Sequence, residues 1–253
     1  MEVINIVNPN LENQRITGAW VQAGFKAAGI DCTTTHDRGA DADVIVVHGP
    51  NYALETARNK DNVLWLDRCW YGDTNNWASL GWLRDGCRWW PEVDHTPGRF
   101  IGHIDDGYID YAENYVKGSE ILLLDDYDET LLRTYPIDAE VLYRPHPHCV
   151  GRYPGAGDRS GGNLHDALDG VGLVITAAGT SGAYAALRGI PVVCLDPRNV
   201  VYPISASDMD GYVDMSEKSR FQWACNLAWR QWTGDEISSG AFWSVLGTHS
   251  MYL

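Results

Sequence analysis

Short apolar runs alternate with segments of helical periodicity in the first half of the chain, and this alternation predicts strands separated by helices. The pattern predicts strands at 2–7, 30–34, 43–47 and 63–66, and helices at 11–28 and 52–60. Several runs are apolar throughout, as in strands that are covered on both faces of a parallel sheet. The first half therefore favours a doubly wound, Rossmann-like arrangement.

The second half repeats this alternation. The pattern predicts strands at 121–124 and 140–143 and helices at 130–135, 163–168, 216–232 and 235–246. Between the halves, the Trp-rich region 77–90 is predicted to be irregular and 91–118 to be a loop-rich connection. We therefore predict an α/β fold of two Rossmann-like domains facing a cleft. The predicted domains are residues 1–118 and 119–253, with the terminal helices packing back on the first domain.

The stretch 173–195 is the most informative part of the pattern. It predicts a buried strand, a turn of small residues, a short helix that ends at Gly189, and a second buried strand. Thr180 and Ser181 can cap the helix, and their hydroxyls, together with the N–H groups of the first helical turn, suit an anion such as phosphate. A plain strand–helix–strand connection with a capped helix is an equally good interpretation.

Arg144, His146 and His148 form a second motif, Arg-Pro-His-Pro-His, directly after a predicted strand. Its prolines restrict the backbone and hold the charged and imidazole side chains on a rigid turn. A guanidinium and imidazoles at a strand end suit phosphate or ribose binding. A metal site is the rival interpretation, but the sequence has no third Cys or His at a usual ligand spacing, so we expect no metal.

Asp67 and Asp73 enclose a third motif, Asp-Arg-Cys-Trp-Tyr-Gly-Asp, at the carboxyl end of the predicted strand 63–66. Open α/β sheets bind their ligands at such strand ends. Surface ion pairing of Asp67 and Arg68 is the structural alternative. The triplet Asp126-Tyr127-Asp128 imitates a metal-binding motif, but such triplets arise easily by chance in an acidic chain, so a solvated loop or a helix start is predicted there.

Composition limits the function classes. The chain has 34 acidic residues against 19 Lys and Arg, a formal net charge of −15. This charge opposes broad binding to nucleic acids or anionic membranes, although a local basic cleft remains compatible with it. Eleven Trp and thirteen Tyr suggest aromatic platforms for sugars or bases, with core packing as the alternative. Scattered cysteines and the lack of a signal peptide or membrane-length apolar run predict reduced thiols in a cytoplasmic protein without a membrane partner.

Two motifs together resemble the nucleotide-binding half of GT-B glycosyltransferases: Arg-Pro-His-Pro-His at 144–148, and Ala-Gly-Thr-Ser-Gly at 178–182 with the following helix and strand. The similar groups are the capsule-polysaccharide, sialyltransferase-like and CDP-glycerol-transferase enzymes. The block 66–73 and the closing segment 220–243 resemble small bacteriophage glycosyltransferases, some of which decorate hydroxymethylated pyrimidines in phage DNA. The chain lacks the glycine-rich first loop of many GT-B enzymes and the spaced carboxylates of retaining members, which leaves acceptor and stereochemistry open.

The resemblance implies an enzyme that transfers a sugar from a nucleotide-sugar donor, a UDP-sugar, to an acceptor hydroxyl without a metal ion. Residues 1–118 would be the acceptor side and 119–253 the donor side. Asp67 is the candidate general base, with Asp73 second. The donor residues would be Arg144, His146, His148, Gly179, Thr180, Ser181, Gly182 and Tyr202. The alternatives on the same scaffold are a nucleotide-sugar epimerase, a phosphotransferase and a non-catalytic nucleotide-binding module.

Modified DNA is the acceptor that the phage resemblance suggests, in which case the host cytoplasm is the location. Arg68, Arg84 and Arg88 lie near each other in sequence and could meet phosphates while Trp70 or a neighbouring Trp stacks on a displaced base. The alternative is that these arginines pair with local carboxylates and the Trp residues fill a core. No oligomeric state is predicted.

Overall fold

A computed structural model describes residues 1–247 apart from 50–54, 57–59, 61, 74, 86, 92, 115–117, 126–134, 136, 147–152 and 210–216. The described strands are β1 (Glu2–Ile6), β2 (Asp31–Thr35), β3 (Val44–His48), β4 (Val63–Arg68), β5 (Trp77–Arg84), β6 (Cys87–Trp89), β7 (Glu120–Leu124), β8 (Leu142–Arg144), β9 (Gly157–Asp158), β10 (Val171–Thr176), β11 (Val192–Cys194) and β12 (Gln231–Thr233). The described helices are α1 (Glu12–Ala27), α2 (Gly98–Asp105), α3 (Leu164–Ala167), α4 (Ser181–Leu187), α5 (Glu217–Ala228), α6 (Gly234–Ser238) and α7 (Ala241–Leu246).

The chain divides into two compact units, Met1–Asp94 with Ala228–Leu253, and His95–Leu227. The division falls before the boundary predicted after residue 118, because residues 98–112 pack within the second unit. Phe100 of α2 contacts Phe221 of α5, with ring centroids 5.7 Å apart, and the Ala112 N–H donates to the Leu187 carbonyl. The C-terminal segment belongs to the first unit, where β12 pairs with β5. The assignment of the domains to acceptor and donor stays a prediction.

The sheet of the first unit has the order β12-β5-β4-β3-β1-β2 among the described strands, with β6 beside β5. β2, β1, β3 and β4 are parallel, as the strand–helix alternation predicts. β5 runs antiparallel to β4, β6 and β12. The prediction of an irregular region at 77–90 is therefore wrong: the Trp and Leu side chains of this region pack in the sheet, where Trp77–Leu83 are all buried.

The two faces of this sheet carry separate apolar cores. Leu64, Leu66 and Trp82 belong to a core that includes Phe25 of α1 and Phe242 of α7. The neighbouring residues Val63, Trp65 and Leu83 belong to a second core with Ile45 and Val47. Alternate residues of a strand point to opposite faces, so this division gives the face of every side chain on β4 and β5.

The C-terminal segment differs from its predicted form in two ways. Residues 231 and 232, predicted as the end of a helix, form the edge strand β12 together with Thr233. The predicted helix 235–246 is interrupted at Gly240, whose left-handed φ of 81° separates α6 from α7. A capping box starts α6, in which Thr233 accepts from the Glu236 N–H and Glu236 accepts from the Thr233 N–H.

A buried polar network joins β1, β3 and α1. Asn5 donates to the Gly18 carbonyl at 3.0 Å, which leaves its side-chain oxygen to accept from His48 Nε2 at 2.8 Å. His48 Nδ1 lies 3.0 Å from the Thr17 hydroxyl, which also donates to the Asn13 carbonyl, while Gln14 donates to the His48 carbonyl. Burial lowers the pKa of His48 to about 4, so the ring is neutral in the folded protein at pH 7.

The sheet of the second unit has the described order β11-β10-β7-β8-β9, and its pairs are all parallel. Numbered from β7, this is the Rossmann order 3-2-1-4-5, which reverses direction between β7 and β10. Leu123, Ile175 and Val193, one from each of the three strands at that end, form the centre of its core. The parallel sheet predicted from 121–124, 140–143 and 173–195 is confirmed.

No helix in the described part of the chain is long and apolar enough to cross a membrane. Cys32, Cys69, Cys194 and Cys225 are free thiols, and all but Cys32 are buried, as predicted for small core residues. The predicted helices at 52–60 and 130–135 and the triplet Asp126–Asp128 fall wholly or largely outside the described residues.

Candidate functional site

The carboxyl edge of the second sheet collects the predicted donor residues. β7 ends at Leu124 opposite Arg144, the last residue of β8, and β10 ends at Thr176 opposite Cys194 of β11. The segments 144–146 and 177–182 therefore leave the sheet at the same edge. The first segment follows β8 and the second follows β10, the two neighbours of β7 in the sheet. The strand order reverses between β7 and β10, and open α/β sheets form their ligand crevice at such a reversal.

The turn after β10 has the close packing that its small residues predict. A Cβ at Gly182 would lie 2.7 Å from the Thr176 side chain, so only glycine fits where α4 begins. Thr180 occupies the N-cap position of α4 but makes no side-chain capping bond. The prediction of a capping role for Thr180 is therefore wrong, because its backbone is helical (φ −73°, ψ −21°) rather than extended.

Asn199 holds this turn from the next loop, and the sequence analysis missed it. Its side-chain amide donates to the carbonyls of Ala177 at 2.6 Å and Gly179 at 2.9 Å. Its side-chain oxygen accepts from the Val201 N–H at 3.0 Å. Asn199 is buried, with 8% of its surface exposed. A single Asn in a polar loop gives no local signal, since its partners lie about twenty positions away.

The loop that carries Asn199 is itself braced. The Arg198 guanidinium makes bonds of 2.7–3.1 Å to both carboxylate oxygens of the buried Asp196. Burial alone would raise the pKa of Asp196, but its hydrogen bonds to Arg198 outweigh that effect and lower the pKa below its ordinary value. Tyr202, a predicted donor residue, is half-buried and begins a 3₁₀ turn in the same loop, where its N–H donates to the Asn199 carbonyl.

The Arg-Pro-His-Pro-His motif is described only in part. The Arg144 guanidinium donates to the carbonyls of Arg159, Gly161 and Gly162, and so holds the glycine-rich loop beside β8. His146 is half-buried at the same sheet edge, and His148 lies outside the described residues. A buried carboxylate that the sequence analysis did not select, Asp125, follows β7 here and accepts a hydrogen bond from the Tyr143 hydroxyl.

In the first unit, the two candidate bases have different surroundings. Asp67 lies near the end of β4, half-buried, and its carboxylate accepts from the Arg68 N–H at 2.8 Å. Asp73 is exposed, and its carboxylate accepts from the Asn75 N–H and the Asn76 side chain at the turn before β5. Asp73 therefore acts as a turn cap, whereas Asp67 projects from the sheet face that also carries Trp65.

The predicted acceptor residues are divided between the two faces of the first sheet. Arg68 pairs with Ala78, whose side chain lies on the face that packs on α1. Arg84 is six positions after Ala78 on the same strand, so Arg68 and Arg84 both lie on that face. Arg88 pairs with Leu83 and lies on the opposite face. The structure therefore does not bring the three arginines together.

The nearby Trp residues are mostly covered. Trp70 and Trp82 are 4% and 3% exposed, which corresponds to the core-packing alternative. Trp89 lies under the Arg84 guanidinium, 3.7 Å from carbon to ring centroid. Trp70 contacts Trp90, with centroids 5.3 Å apart, and lies beside Arg88.

The chain matches no protein-family model and no curated protein. Among solved structures it is similar to KpsC of Thermosulfurimonas dismutans, a beta Kdo 2,7 transferase. The TM-score is 0.55 at 11% identity, over 96% of this chain and 99% of that one. The chain has this transferase's fold. A further match is to the beta Kdo 2,4 transferase of the same organism's KpsC, with TM-score 0.47 at 13% identity over 88% and 89% of the chains.

The likeness confirms the α/β class of the predicted fold. The GT-B arrangement, with two domains facing each other across a cleft, stays a prediction.

Proposed function

We propose that the protein is a glycosyltransferase that binds a nucleotide-sugar donor at the carboxyl edge of the second sheet. The observation that carries this proposal is the turn 177–182 at the strand-order reversal, held by the Asn199 amide. A glycine-lined turn there lets a diphosphate approach the backbone N–H groups closely. The fold shared with a solved glycosyltransferase supports the same activity.

In this proposal, the charge that develops on the departing nucleotide diphosphate is stabilised by backbone N–H groups of 179–182 and by Arg144, His146 and His148. A UDP-sugar donor, transfer of a hexose and independence from metal ions are further parts of the proposal. Asp67 takes the proton of the acceptor hydroxyl, and the sugar is transferred to that oxygen. An epimerase or a binding module would need no acceptor, so transfer to an added acceptor separates these alternatives.

The donor proposal predicts that Asn199→Ala weakens binding of a nucleoside diphosphate about tenfold, because the freed turn must be ordered on binding. Isothermal calorimetry with UDP, CDP and GDP measures the affinity, with and without EDTA. Asn62→Ala is the matched control, since Asn62 also donates to two backbone carbonyls, but in the first unit. If wild-type protein binds none of the nucleotides, or if Asn199→Ala binds as well as wild type, the donor site is misplaced.

The catalytic proposal predicts different losses for the two aspartates. Asp67→Asn should lower kcat on the order of a hundredfold and leave nucleotide affinity unchanged, because an amide accepts no proton. Asp73→Asn should keep most activity and lower the melting temperature slightly, because it weakens a turn cap. A larger loss of kcat in Asp73→Asn than in Asp67→Asn would exchange the two roles.

The acceptor is the least constrained part of the proposal. A hydroxymethylated pyrimidine in DNA stays a prediction for the acceptor, and the described residues give it no support. Arg68 and Arg84 lie on one face of the sheet and Arg88 on the other, and the net charge of −15 opposes a polyanion. A saccharide or another small hydroxylated acceptor fits these observations better.

A further inference from the structure

The Arg88 guanidinium lies among three indole rings. Its central carbon is 4.6 Å from the ring centroid of Trp70, 5.2 Å from that of Trp65 and 5.9 Å from that of Trp90. Within the described residues it makes no hydrogen bond or ion pair, and its Nη1 is buried without a partner. The residue as a whole, backbone included, is half-buried. The rings stabilise the cation but supply no hydrogen-bond acceptor.

A second unpartnered donor lies beside it. The Nε1 of Trp65 is also buried without a hydrogen-bond partner, and Trp65 is on the same face of the sheet as Arg88. Gly81 pairs with Trp65, and a Cβ at Gly81 would lie 2.7 Å from the Trp90 ring, so glycine is needed for Trp90 to cover this place. Two adjacent buried donors without an acceptor lower the stability of the fold unless a bound group accepts hydrogen bonds from them.

Asp67 follows Trp65 by two positions on β4, so its side chain leaves the same face. It forms no ion pair with Arg88 within 4.0 Å, although its negative charge acts on the guanidinium. Burial lowers the pKa of Arg88 and the charge of Asp67 opposes that change. A guanidinium remains charged at neutral pH even so. The face therefore presents two donors and, at a distance from them, one carboxylate acceptor.

From this arrangement we infer that the first unit binds a small hydroxylated anion, with its anionic oxygens on Arg88 and Trp65 and a hydroxyl directed to Asp67. An oxyanion accepts strong, charge-assisted hydrogen bonds from a guanidinium. A single cation in an aromatic enclosure suits one anionic group rather than a polyanion. The inference rests on the proposed function, because it makes this molecule the acceptor, a sugar that carries a carboxylate or a phosphate.

Calorimetric titration of the full chain with glucuronate, glucose 6-phosphate and glucose tests the inference. We expect at least one of the two anionic sugars to bind about tenfold or more tightly than glucose, since a site built for a charged hydrogen bond rejects the neutral analogue. The comparison between glucuronate and glucose 6-phosphate separates a carboxylate from a phosphate ligand. Arg88→Met should remove the preference. Arg15→Met, which removes an exposed arginine of the same unit, should keep it.

Equal binding of glucose and both anions, no binding of any of the three, or loss of the preference in Arg15→Met would overturn the inference. If Arg88→Met does not fold, wild-type protein still gives a decision: acetate or inorganic phosphate should compete with the anionic sugar and leave glucose binding unchanged. Absence of this competition would also overturn it. The nucleotide titration of the donor site is separate, so failure there counts against the proposed function and not against this anion site.

Discussion

Replacing Arg220 by methionine is expected to destabilise the protein by about 3–5 kcal/mol. Arg220 is fully buried, and its guanidinium has four backbone carbonyls within hydrogen-bond distance. They are those of Ala112 at 2.6 Å, Glu113 at 2.7 Å, Ala186 at 3.0 Å and Leu187 at 3.5 Å.

The Ala186 and Leu187 carbonyls lie at the C-terminal end of α4, where a cation also interacts favourably with the helix dipole. Methionine fills a similar volume but donates to none of them, so all four carbonyls lose the guanidinium as a donor.

Urea unfolding measures this loss as a change in the free energy of unfolding. The matched control is Arg38→Met, which removes an arginine whose side chain is 54% exposed and which pairs with Glu55 at the surface. That substitution should cost less than about 1 kcal/mol. An Arg220→Met protein as stable as the control would mean that the carbonyls of 112–113 and 186–187 find other partners.

Lowering the pH from about 6.5 to about 4 is expected to cost roughly 3 kcal/mol of stability through His48 alone. Burial lowers the pKa of His48 from 6.5 in the unfolded chain to about 4 in the fold. The unfolded chain therefore takes up a proton first as the pH falls. The contribution of the neutral ring is complete above pH 6.5 and is lost progressively down to about pH 4.

His48→Gln tests this expectation, because the glutamine amide does not titrate in that range. The difference in unfolding free energy between wild type and His48→Gln should narrow as the pH falls from 7 to 4. Carboxylates titrate in both proteins, so their effects cancel in this difference. A constant difference between wild type and His48→Gln would show that the ring accepts a proton within the fold.

The sequence alone was sufficient for the parallel strands and for the turn at 177–182. Each parallel strand is a short apolar run next to a helix of regular period, so the relevant information lies within a few residues. The turn is visible for the same reason, since its small residues are consecutive. The capping role predicted for Thr180 was wrong. A side-chain cap requires particular backbone angles, and the residue type gives only a statistical preference for those angles.

Tertiary structure alone decided which distant segments complete these local elements. The antiparallel strands β5, β6 and β12 could not be predicted because the Trp-rich run becomes a core strand only when β4 and β12 pair with it. Strand register likewise placed Arg84 and Arg88 on opposite faces, although they are four residues apart. Asn199 and Arg220 act on carbonyls 20 or more positions away. Hydrogen bonds of that range leave no periodic trace in a sequence, because any exposed loop or helix could carry the same Asn or Arg.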